Sequence, residues 1–98
     1  MAMFMVHMTH PAETCYLFNE ENKKKLKELS SKKEEIAQKH EIKVISAVYP
    51  PLEHEIFYVV EAPSFKNVER YIKDMGFAFY NKVKIRHVKN MEESLTRL

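Results

Sequence analysis

Met3-Phe4-Met5-Val6-His7-Met8-Thr9 and His54-Glu55-Ile56-Phe57-Tyr58-Val59-Val60-Glu61 are the two stretches that decide the fold. Both are nearly unbroken apolar runs of strand length. A strand with one wet face alternates, and these do not, which predicts central strands covered on both faces. Pro11 ends the first run, because proline has no amide donor and biases His10 towards an extended backbone. Working outward, Ile42 to Tyr49 is rich in Val and Ile and is closed by Pro50-Pro51. Lys82 to Val88 sets Val83, Ile85 and His87 against Lys82, Lys84 and Arg86, the alternation of an edge strand.

Helical patterns fill the intervals. His10 to Phe18 reads as a loop, and Asn19 as an N-cap with Glu20 and Glu21 in the first turn. One helix is predicted from there to about His40, its apolar stripe being Leu26, Leu29, Ile36 and Ala37. Ser64 caps a second helix with Phe65, Val68, Tyr71, Ile72 and Met75 on one face, and Gly76 stands at its left-handed stop. Asn90 and Glu93 form a capping box for a short last helix with Met91, Leu95 and Leu98 on its apolar side. The order is β-α-β-β-α-β plus a terminal helix. Right-handed crossovers place the strands 4-1-3-2, the ferredoxin-like arrangement, in one α+β domain over residues 1–98. Two helices cover one face of that sheet. The second face needs a partner, and a self-complementary homodimer is the simplest.

Composition narrows the function. The chain has 98 residues, for which area scaling gives roughly 5,900 Å² of folded surface. Sixteen basic against fourteen acidic residues leave no strongly basic arm, and the Lys23-Lys24-Lys25 and Lys32-Lys33 runs are offset by glutamates as a solvated helix surface. The third strand lacks the basic-Gly-aromatic pattern of RNA-binding sheets, so nucleic acid is not an expected partner. A single glycine excludes phosphate-binding glycine loops. One cysteine, Cys15, excludes an internal disulfide and points to a reducing cytoplasm. No apolar run approaches the roughly 18 residues of a membrane span, and the start of the chain does not read as a signal peptide.

Five histidines are the chemical signal. Antiparallel pairing of the first and third strands brings His10, Glu13 and Cys15 towards His54, a donor set for zinc, copper or iron. A metal-free reading uses His7 or His54 as a general base beside a pocket formed by Met8, Phe57 and Tyr58, as in a cofactor-independent oxygenase or isomerase. A third reading is a structural or regulatory dimer without a ligand. His87 and His40 are expected to be structural.

The opening Met3–Met8 run, the Phe57–Val60 strand and the closing Arg86-His87-Val88-Lys89-Asn90-Met91-Glu92-Glu93 resemble the dimeric α+β barrel superfamily. His10-Pro11-Ala12-Glu13-Thr14-Cys15 and Pro50-Pro51-Leu52-Glu53-His54 are similar to small archaeal and bacterial proteins of unknown function. The resemblance implies a homodimer with a small-molecule pocket between sheet and helices, and no single activity. Haem-degrading members use Asn, Trp and His, and this chain has no tryptophan.

Overall fold

The fold comes from a computed structural model that describes residues 1–98. Strand β1 spans Ala2–Thr9, β2 Lys43–Val48, β3 Glu55–Ala62 and β4 Lys82–Val88. They form one antiparallel sheet in the order β2-β3-β1-β4, the ferredoxin-like order the sequence predicts. Helix α1 spans Glu20–Ser30, α2 Lys33–Lys39, α3 Phe65–Asp74 and α4 Met91–Leu95.

Register sorts the side chains. On β1 and β3, Ala2 pairs with Ala62, Val6 with Tyr58 and Thr9 with Glu55. Directly paired residues share a face. Phe4, Val6 and Met8 therefore join Ile56, Val60 and Ala62 beneath the helices, and all six are buried. Val68, Tyr71, Ile72 and Met75 of the α3 segment close the core from above. Each such side chain contributes about 1.5–3 kcal/mol by leaving water. Phe65, expected on that face, is 46% exposed and reaches the core only by its edge against Phe4.

The predicted first helix is in fact two. It breaks after Ser30, and the Ser31 hydroxyl donates to the Glu28 carbonyl at 2.6 Å. Serine competes with the helix for its own backbone, and two in a row end it. Leu26, Ile36 and Ala37 still pack on the core from either side of the break. Two 3₁₀ turns, Ala12–Thr14 and Phe77–Phe79, have no counterpart in the sequence reading.

The second sheet face carries Met3, Met5, His7 and Thr9 of β1 and Glu55, Phe57, Val59 and Glu61 of β3, all half-buried. Half of these are polar, so the face is less greasy than the unbroken runs imply. His7 stacks on Phe57 with centroids 4.7 Å apart and bonds Glu55 at 3.0 Å. The chain's own tail does not roof this face: Met91, Leu95 and Leu98 of the α4 region are 76%, 56% and 100% exposed. No helix is long and apolar enough to cross a membrane.

Candidate metal centre

The β1–β3 pairing continues one step beyond the strands, where the His10 amide donates to the His54 carbonyl at 3.2 Å. Partnership across the ladder puts both imidazoles on the helix side, with ring centroids 5.5 Å apart. The following loop turns back over them. The 3₁₀ turn Ala12–Thr14 ends at Cys15, whose amide donates to the Ala12 carbonyl and whose carbonyl accepts from Phe18 and Asn19. Asn22 Nδ2 donates to the Thr14 carbonyl at 2.8 Å, and the Asn19 side chain accepts from the Asn22 amide as the α1 cap. The loop is thus tied to the first turn of α1, and Cys15 is held 3% exposed.

One nitrogen or sulfur atom from each of His10, Cys15 and His54 lies within 4.8 Å of the others. A tetrahedral ion with bonds of about 2.0–2.1 Å to nitrogen and about 2.3 Å to sulfur needs donors roughly 3.3–3.7 Å apart. The donors line a small cavity of about 200 Å³ with Glu53 and Glu55 also in its wall. Such carboxylates favour a cation.

The orientation of His10 is set from far along the chain. Its Nδ1 lies 2.7 Å from Asn81 Oδ1, while Asn81 Nδ2 donates to the Phe77 carbonyl at 2.9 Å. The amide orientation makes Oδ1 the acceptor, so Nδ1 carries the hydrogen and Nε2 the lone pair. His10 Nε2 is buried without a partner, and so is the Tyr80 hydroxyl. The Tyr80 ring stands 5.4 Å from that of His10. Burial pushes its phenol up to about 12, so it remains a neutral donor.

The remaining candidate residues separate. Glu13 is on the exposed 3₁₀ turn and outside the donor cluster. His7 is on the opposite sheet face from His54, so the two proposed bases do not share a site. The bond from His7 holds the Glu55 carboxyl below its ordinary range. Met8 is wholly buried in the core, Phe57 lies on the open face, and Tyr58 lines a second, larger cavity under the helices, whose wall contains no histidine. Sequence reading missed Asn81. No local signal exposes it, because its partner lies 71 residues away. His87 packs against Phe4 and His40 bonds Asp74, both away from the centre.

No protein-family model and no curated protein matches this chain. Among solved structures it is similar to SCO4226 from Streptomyces coelicolor A3(2), at 18% identity and a TM-score of 0.61 over 91% of this chain and 98% of that one. It is similar to a REP-associated tyrosine transposase bound to a REP hairpin, at 6% identity and a TM-score of 0.56, over 98% of this chain and 61% of that one. The designed protein Ferredog-Diesel follows at 10% identity and 0.51, over 88% and 84% of the two chains. At these identities the likeness establishes the fold, which is ferredoxin-like.

Proposed function

We propose that this protein binds one transition-metal ion, zinc or copper ahead of iron, through His10 Nε2, Cys15 Sγ and a ring nitrogen of His54. The observation that carries the reading is the orphaned His10 Nε2, buried in a small cavity beside a buried thiol and a second imidazole. A buried acceptor without a partner costs about 1–3 kcal/mol, which an ion at that position relieves. Asn81 supplies the outer hydrogen bond that metal-ligating histidines usually have. Two imidazoles and a thiolate suit zinc with an open fourth position, or copper.

The test is a competition titration of untagged protein. We expect one equivalent of zinc or copper, with affinity reduced at least about 100-fold by His10→Ala, Cys15→Ala or His54→Ala and unchanged by Glu13→Gln. Binding below about 0.2 equivalents, or affinity indifferent to all three substitutions, would refute the assignment.

The partner we propose is a second copy, docked through the open sheet face and α4. The chain exposes 7,092 Å², roughly 1,200 Å² more than scaling gives for a monomer of this mass. Its radius of gyration is 14.4 Å, against about 12.6 Å for a compact domain of this length. The excess exceeds the roughly 800 Å² that one partner contributes to a standard interface.

A further inference from the structure

The larger cavity holds about 490 Å³, between β2 and β3 on one side and the helices on the other. That volume falls in the roughly 300–1,000 Å³ range of small-molecule sites. Its wall is hydrophobic or aromatic except for Ser30, Lys33 and Glu34, and it opens to solvent between the α1–α2 junction, where those three are exposed, and the edge strand, where Val44, Ala47, Val48 and Tyr49 are exposed. The polar atoms inside are chiefly phenols. Burial raises the pKa of Tyr58 and Tyr71, so at neutral pH both are uncharged donors. The interior itself offers an anion no charged partner, and it accepts an apolar body.

The two cavities adjoin. Tyr16, Tyr49 and Ile56 belong to the walls of both. Behind that partition stand the metal donors. A divalent ion on two neutral imidazoles and one thiolate keeps a net positive charge and a vacant coordination position. All three donors line the small cavity, so an ion they held would be reached from it. A molecule that fills the large cavity and passes Tyr16 and Tyr49 meets that charge.

We infer that the two cavities form one composite site for an amphiphilic carboxylic acid, its carboxylate completing the coordination of the ion and its apolar body lying under α1 and α2. This rests on the metal-binding reading above. The chemistry is complementary at both ends: a cation with an open position for the head, and a greasy, uncharged chamber for the body. A neutral molecule of the same body gains only the second half.

Decanoate and decanol are the probes, each titrated calorimetrically into the full chain, once stripped with chelator and once loaded with zinc. Zinc binding is measured first, without either probe. The expected result is that zinc tightens decanoate at least about tenfold and leaves decanol unchanged. Ala47→Phe, which fills the chamber from the sheet, should abolish binding of both probes while zinc still binds. Ala37→Phe, which fills it from α2, is the second variant should the first not fold. Equal zinc dependence for decanoate and decanol would overturn the composite site, as would decanoate binding that survives both filling variants. If no zinc binds in the first step, the metal reading fails by itself, and the decanol titration still reports whether the chamber takes an apolar body.

Discussion

At His10 a single hydrogen bond decides which nitrogen is available. Asn81 Oδ1 accepts from Nδ1–H at 2.7 Å and leaves the lone pair on Nε2, which is buried without a partner. Asn81→Ala removes that acceptor and frees the ring to change tautomer. We expect metal affinity to fall about 10–100-fold, with Asn81→Asp retaining most of it, as read by chelator competition. The meeting of His10 and His54 was legible in the sequence because pairing the two central strands places one beside the other whatever the rest of the chain does. Which other histidine shares their face was not legible, since a slip of one residue reverses it. For His7 the answer does not depend on register: three residues from His10 along the same extended chain, it falls on the opposite side by alternation alone, as the spacing predicts. A second residue-scale prediction concerns Asp74. Its carboxylate accepts from His40 at 2.6 Å and lies near Lys39, and the His40 bond above all holds its pKa below the ordinary value. A carboxylate whose folded pKa is depressed adds stability above its unfolded pKa of about 3.9, and loses it as pH falls through the folded value. Thermal unfolding of Asp74→Asn should therefore match wild type more closely at pH 2 than at pH 6. The effect should be modest, because the side chain is 40% exposed.

At the scale of elements, the α3 segment shows how far a stripe of apolar residues can be trusted. Val68, Tyr71, Ile72 and Met75 fall on one face by spacing alone, and all four are buried. Gly76 follows at φ 78°, a left-handed position that ends the helix and starts the turn leading to Asn81. A Cβ there would also meet Leu29 Cδ1 at 2.5 Å, although that methyl group can swing away. The backbone penalty remains, so Gly76→Ala should lower unfolding stability by about 1–2 kcal/mol in urea titrations. The break between α1 and α2 was hidden because the stripe resumes in phase at Ile36 and Ala37 across it. Two serines and one hydroxyl bond, not a change in hydrophobic period, set the boundary. The Ala12–Thr14 turn was equally hidden, yet it delivers Cys15 and turns Glu13 outward, so a four-donor expectation became three donors.

For the molecule as a whole, the topology followed from two apolar runs and one alternating strand, and the strand order is the expected one. The character of the open face did not follow. Methionine, histidine and phenylalanine in succession read as uniformly apolar, while the ladder directs His7 and Glu55 to one side and Met8 and Ile56 to the other. Met3, Met5, Phe57 and Val59 remain there as an apolar strip with Lys84 and Arg86 of β4 alongside. Placing a charge in that strip with Met5→Glu should halve the mass seen by light scattering from twice the 11.7 kDa chain towards the single chain, with the far-ultraviolet spectrum unchanged. A wild-type protein already at the single-chain mass at micromolar concentration would remove the dimer and leave the metal centre untouched.

Cobalt(II) added to reduced, untagged protein tests the centre most directly, because a cobalt–thiolate bond absorbs strongly in the near ultraviolet. The account predicts one equivalent bound with that band, its loss in Cys15→Ser, its persistence in Glu13→Gln, and its displacement by zinc. Cobalt that fails to bind, or that binds Cys15→Ser as tightly and with the same spectrum, would contradict it.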